Sequence, residues 1–338
     1  MMTALLAAAA LFAPQARAAS KFVQNLHKAE SRKEADERVE YYTRAIDSWD
    51  AGEGNSLLGA CRFGRGEALL ETWKFAQAED DLTKALALDP INARAYRSRG
   101  KARLRLGKTA EAAQDLLEYA GRNPTDVDGL VTLAEAQLKL GRGDGAFKAC
   151  RLAQQADPAD GRGWLCEGKA LAARRDWPGA ERAFTAADDR DAHRAAAPLL
   201  ERAVARVAQG RHEQAQEDYT AALPLLEALL DRMPHDGAPA PAVAEQRQTT
   251  AKAYYGRGRV REFLVQPEGA LADFEAACRL GHEQACERAD ALAPQAEHKA
   301  RRAAPEERAA PAPDKPKREK KRKIGNPDGN PGERIYGG

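Results

Sequence analysis

Three proline turns, Asp89-Pro90, Asn123-Pro124 and Asp157-Pro158, fall at a constant interval of 34 residues. No other feature constrains the fold of the chain as tightly. Self-similarity at a period of about 20–50 residues means one supersecondary unit stacked on copies of itself, because a single unit cannot cover its own apolar face. The clearest unit runs from Ala93 to Asp126, as two amphipathic stretches joined at Leu106-Gly107-Lys108 and closed by Pro124. Proline disfavours helical backbone at the residue before it, so the second helix of each unit should stop at the Asp or Asn of its turn.

Small and large residues recur where the packing of two helices requires them. Counting each unit from 1, position 8 is Gly66, Gly100, Ala134 and Gly168, and position 20 is Ala78, Ala112, Ala146 and Ala180. Residues this small let two helix backbones approach closely where they cross. Position 24 is the filler, as Leu82, Leu116, Cys150 and Phe184, and position 27 is Ala85, Tyr119, Ala153 and Ala187. Aromatic residues stand at position 4 in Tyr96 and Trp164, with Leu130 in the unit between. An ordinary helical bundle has no need of such a spacing.

Over residues 59–284 this pattern resembles the tetratricopeptide repeat. The resemblance implies an all-α superhelical solenoid of about six to seven antiparallel helix pairs, with a concave face that binds peptides or proteins, and it implies no enzyme. In that family, positions 2, 5, 9 and 13 of each first helix line the groove. Here those positions give Arg94, Arg97, Lys101 and Arg105 in unit three, Arg162 and Lys169 in unit five, and Lys252, Tyr255 and Arg259 in unit seven. Unit six is apolar there, with Leu200 and Val204. Such a mixture should prefer an acidic segment with some apolar side chains. The family's carboxylate clamp also needs asparagines on successive first helices, and Gly64, Ser98, Glu67 and Lys101 hold those places instead.

The chain divides by composition. Ala4 to Ala13 is an apolar run too short to span a bilayer, and Ala16-Arg17-Ala18 puts small residues where a signal peptidase reads them. Residues 1–18 are therefore expected to be a signal peptide cleaved after Ala18, directing the chain to the periplasm or outside the cell, although Met1-Met2-Thr3 lacks the usual basic residue. Residues 19–58 should form a divergent helix pair and a polar loop, AGEGNS, as terminal repeats commonly do. The array should occupy residues 59–293, with its phase lost in an insertion after unit six around Pro234 to Pro241. Residues 294–338 are rich in Pro, Ala and charge and should be disordered. Their basic run, Lys315 to Lys323, suits an anionic envelope surface, and nucleic acid only if the chain stays in the cytosol. The net charge of +2 selects no partner.

No catalytic, metal or cofactor motif stands out. His212-Glu213 and His282-Glu283 lack the second histidine of a zinc-protease helix, and Gly141 to Gly145 has neither the strand before it nor the Gly-Lys that a phosphate loop needs. The expected function is thus an exported scaffold or adaptor; the alternative is a cytosolic repeat protein whose basic tail associates with nucleic acid or an acidic partner. The five cysteines are too few for a dense disulfide framework. Residues equally far from a helix–helix turn can lie opposite each other, which allows a bridge between Cys278 and Cys286 about His282 and, at the margin of bridging distance, one between Cys150 and Cys166 about Pro158. The alternative for Cys150, at position 24, is a buried core thiol. The segment ALADFEAACRLGHEQAC also resembles the cysteine-rich, disulfide-bridged relatives of the repeat. Cys61 is left without a partner.

Overall fold

A computed structural model of the chain describes residues 20–294. The expected signal peptide, the start of the mature chain and the basic tail lie outside the described residues. Within them the structure is all helical, and no helix is long and apolar enough to cross a membrane.

Seven antiparallel pairs follow one another. They are α1 (Lys21–Ser31) with α2 (Ala35–Asp47), α3 (Asn55–Glu71) with α4 (Phe75–Leu88), and α5 (Ala93–Arg105) with α6 (Thr109–Arg122). Next come α7 (Val127–Lys139) with α8 (Gly143–Ala156), and α9 (Gly161–Ala173) with α10 (Trp177–Arg190). The last are α11 (Ala196–Ala208) with α12 (His212–Arg232), and α13 (Ala240–Phe263) with α14 (Pro267–Arg279). A helix α15 over residues 283–294 covers the end. Each helix packs on the next, and the first helices of neighbouring units also meet, α3 with α5, α5 with α7, α7 with α9 and α9 with α11. Those first helices line one continuous face.

The 34-residue period is visible in the local chemistry. The residue before each first helix in units three to five caps it: Asn92, Asp126 and Asp160 accept from the backbone N–H of Ala95, Gly129 and Arg162. Position 15, where the first helix turns into the second, is left-handed in all six units from Gly59 onward. Gly107, Gly141 and Gly210 hold it at no steric cost, but Trp73 (φ 61°), Arg175 (φ 63°) and Val265 (φ 58°) hold it in the others.

Small and large residues interlock across units. A Cβ added to Gly66, Gly100, Gly168 or Gly258 at position 8 would lie 2.7, 2.8, 2.3 and 2.7 Å from Leu82, Leu116, Phe184 and Phe274 at position 24 of the same unit. Unit four has Ala134 at position 8 because its position 24 is the smaller Cys150. Tyrosine at position 24 reaches the next unit instead, Tyr42 lying over Gly64 and Tyr219 over Gly256. Tyr119 at position 27 is likewise accommodated by Gly129, whose added Cβ would meet it at 2.3 Å.

The expected polar loop before Gly59 is shorter than its sequence suggests. A single 3-10 turn covers Ala51–Glu53, and α3 already begins at Asn55. The insertion after unit six is mostly helix rather than loop. It lengthens α12 to 21 residues and α13 to 24, leaving only Met233 to Pro239 as the connection. Pro241 does not break α13, because it lies in the first turn, where its missing N–H has no partner to lose.

Candidate functional site

The first helices present a face opposite to the one they bury. On α5, Arg99 and Arg103 point inward, while Arg94, Arg97, Lys101 and Arg105 point to the shared face. The inward pair belongs to a recurring ion cluster. Arg65, Arg99, Arg202 and Arg257 at position 7 donate to Asp81, Asp115, Asp218 and Asp273, sixteen residues later, at 2.6, 2.9, 3.1 and 3.0 Å from Nε. Each also reaches a threonine of the preceding unit: Thr43, Thr83, Thr185 and Thr220. The four aspartates are buried. Burial pushes the Asp218 carboxyl up against the pull of Arg202 and Arg206, so this charge is costly to leave without its guanidinium. A repeated Arg…Asp at sixteen residues is the sequence signal for this cluster.

On the exposed face, the basic residues of units three to five meet carboxylates of the same chain. Asp128, at position 2 of unit four, collects Lys101 at 2.5 Å, Arg162 at 3.7 Å and Arg97 at 3.8 Å. Arg97 also holds Asp126 at 3.1 Å. Burial pushes Asp126 up, but hydrogen bonds from Tyr119, Arg97 and the Gly129 N–H outweigh it, and its carboxyl lies below the usual range. The same environment raises the Tyr119 phenol to about 12, by desolvation and by its bond to Asp126. Hydrogen bonds from Arg162 hold Asp160 low. Lys169 faces Glu201 at 3.4 Å, and Arg94 lies over Phe63 with Glu67 at 3.8 Å. Arg105 pairs with Glu245 at 2.6 Å.

Unit seven differs. Arg259 is 58% exposed, and its nearest carboxylate, Glu262 at 4.0 Å, is held at 2.6 Å by Arg288. Tyr255 stacks on His282 with ring centroids 4.4 Å apart, and Lys252 borders a cavity with Arg105 and Glu245. The contact between first helices thins from α11 to α13. Between them opens a second cavity of about 320 Å³, lined by Val204, Val207, Val260, Phe263, Tyr219, Gly256, His212 and Arg259. Phe263 is 66% exposed and lies against His212, and Val204 in the same lining is exposed as well. Val204 and Arg259 are among the groove residues expected from sequence; Phe263 is not, although it stands at position 13 of unit seven and so meets the same rule, whereas Val207 holds none of those positions.

No family model matches the sequence, and no curated protein matches it. Solved structures do resemble it. A tetratricopeptide repeat protein from Parabacteroides merdae superposes with a TM-score of 0.60 at 18% identity, covering 80% of this chain and 98% of that one. The C-terminal part of a repeat-containing protein of the same kind from Cytophaga hutchinsonii gives 0.50 at 15% identity, covering 79% and 98%. The chain has the tetratricopeptide-repeat fold. In this tetratricopeptide array two disulfides are present. Cys278 and Cys286 join α14 to α15 with Cα atoms 4.8 Å apart, and Cys150 and Cys166 join α8 to α9 at 5.5 Å. The second bridge occupies the contact that Tyr42–Gly64 and Tyr219–Gly256 make elsewhere, position 24 against position 6 of the next unit. Cys61 is free and buried, and burial pushes its thiol up to about 12.

Proposed function

We propose that the chain is an exported scaffold or adaptor that holds a segment of another protein on the face lined by its first helices. The observation that carries this reading is the cavity between α11 and α13, where exposed Val204, Val207 and Phe263 adjoin Arg259, a guanidinium 58% exposed whose nearest carboxylate, Glu262 at 4.0 Å, is held more closely by Arg288. Exposed apolar side chains grouped around a cavity are what a partner covers. A segment with one bulky apolar side chain followed by an Asp or Glu fits this end. The cations of units three to five already have carboxylates within reach, so they would contribute by exchanging one acid for another, with little net gain per contact.

Export is supported by the two disulfides, since such bonds persist in oxidising compartments. In that compartment the run Lys315 to Lys323 would meet anionic envelope surfaces rather than nucleic acid.

Affinity capture from envelope extract, with wild type compared against Phe263→Ala and Arg259→Glu, tests the binding surface. Each variant should weaken capture of the same partner about tenfold or more, since a charge-assisted contact contributes about 1.5–3 kcal/mol and an aromatic anchor in a pocket about 2 kcal/mol or more. Equal retention by all three chains would place the partner elsewhere. N-terminal sequencing of the native chain tests export: Ala19 as first residue supports it, and Met1 in a cytosolic fraction overturns it.

A further inference from the structure

The pair Arg105–Glu245 joins residues 140 apart in sequence. Arg105 closes α5, and Glu245 stands on the stretch of α13 before Ala251, which the insertion adds ahead of unit seven. The guanidinium grips both carboxylate oxygens, Nη2 to Oε2 at 2.6 Å and Nη1 to Oε1 at 3.3 Å. It also lies over the indole of Trp73 at 4.3 Å and the ring of Phe75 at 5.3 Å. Trp73 occupies the left-handed position 15, where three other units have glycine, so the turn carries a strained backbone that sets an indole under Arg105. Ala244, Glu245, Gln248 and Lys252 form one wall of a cavity of about 890 Å³, with Trp73 and Arg105 opposite and the turn from Leu280 to Gln284 at its end. The other side of the arm rests on α12, where Gln246 donates to the Leu226 carbonyl at 3.3 Å and Thr250 is buried.

We infer that residues 240–250 are a built-in occupant of the binding face, with Glu245 seated on Arg105 where a partner's carboxylate would sit. Trp73 and Arg105 then form a carboxylate subsite that the chain's own arm gates, and a partner takes the site by displacing Glu245. The role of the partner rests on the function proposed above; the gate does not. The side chains of Arg105 and Glu245 are 39% and 52% exposed, so the pair is weak and salt-sensitive. Stacking of the guanidinium on the indole adds to it. A contact of this strength keeps the arm closed and still lets a competing carboxylate replace it.

Hydrogen exchange read by mass spectrometry on the full chain tests the gate. Amides 240–250 should exchange roughly two- to fivefold faster in Glu245→Gln, Arg105→Gln and Trp73→Gly than in wild type, with α5 and residues 251–263 unchanged. The double variant Arg105→Gln/Glu245→Gln should be no faster than the faster single one. Trp73→Gly relaxes the turn, so faster exchange in the arm of that variant reports the lost indole rather than a damaged fold. Unchanged exchange in Glu245→Gln would show that α12 alone fixes the arm, and acceleration extending through Phe263 would show unfolding instead of opening; either overturns the gate. The subsite is read with a synthetic peptide of residues 240–250 as probe. It should shift the Trp73 indole N–H resonance in Glu245→Gln but not in wild type, and a peptide with Gln for Glu should shift neither. No shift in Glu245→Gln overturns the carboxylate subsite. Should capture by Phe263→Ala and Arg259→Glu stay intact while the arm still responds, the binding surface fails and the gate stands.

Discussion

The junction between units five and six and the junction between units four and five join the same kinds of helix by opposite means. Between five and six, Arg202 and Arg206 of α11 bind Asp218 of their own unit and reach back to Thr185 and Glu181 of α10. The junction between units two and three repeats this, with Arg99, Arg103, Asp115, Thr83 and Glu79 in the same places. Between four and five, position 23 is Ala183 and position 7 is Glu167, which takes a hydrogen bond from Gln154 and faces Arg151 at 3.6 Å. There the covalent bond Cys150–Cys166 does the joining. One helical joint can thus be closed by buried charge or by a cross-link, and the two should fail under different conditions.

The largest expected effect is on the charged joint. Asp218→Ala removes the buried acid that the half-buried Arg202 and Arg206 share, leaving them only Asp188 at 3.2 Å and Glu181 at 3.0 Å, and should cost about 3–5 kcal/mol. Apolar replacement of two partners, Arg202→Met with Asp218→Leu, should recover only part of that loss, because Arg206 and the buried Asp188 each still lack one of their partners. Urea denaturation of the single and double variants measures both. A double variant as unstable as the single one would mean that the cluster contributes attraction beyond its desolvation.

A smaller effect is expected at the cross-linked joint. Cys150→Val with Cys166→Ala removes a bridge that closes a sixteen-residue separation and should cost about 3 kcal/mol on the loop-entropy model. Because each unit touches only its neighbours, the loss should appear first as faster hydrogen exchange in α8 and α9. Loss spread evenly from α1 to α14 would contradict a local role.

The smallest effect separates the joints by pH. Burial raises Glu79 and Glu181, but hydrogen bonds outweigh it, from Lys108 and Arg103 on the first and from Arg206 and Gln209 on the second, so both carboxyls lie below their ordinary value. A depressed folded value gives stability that is full above the unfolded pKa of about 4.3 and is lost as pH falls through the folded value. Acid should therefore loosen the junction of units two with three before that of four with five; at five with six the raised Asp218 carboxyl works against the loss from Glu181. Glu79→Gln and Glu181→Gln should flatten this acid response by under about 1 kcal/mol each. Stability profiles against pH that superpose for wild type and variants would remove these glutamates from the account.

Much of this was legible in the residues. The interval of the proline turns set the number and length of most helices, and the glycines at position 8 announced the bulky residues that now rest on them. Those contacts are local: the partners sit on two helices joined by a short turn, so their spacing in sequence fixes their meeting in space. The groove positions were legible as places but not as charges. Arg97, Lys101 and Arg162 look free when each unit is read alone, because their acid, Asp128, holds groove position 2 of a neighbouring unit, and only the stacking of first helices brings the four together. In sequence the insertion after unit six reads as a break, since Pro234 and Pro241 punctuate it, yet helix resumes at Ala240 because proline is tolerated in a first turn.

Sequence by itself determined the unit, its length, its caps and the pairing of small with large side chains, because each depends on neighbours within one or two helices. Tertiary structure alone decided that Arg105 meets Glu245 and that α11 and α13 part around Phe263. Both depend on how the small offset of each unit from the next accumulates along the stack, and a periodic sequence repeats its units without recording that sum.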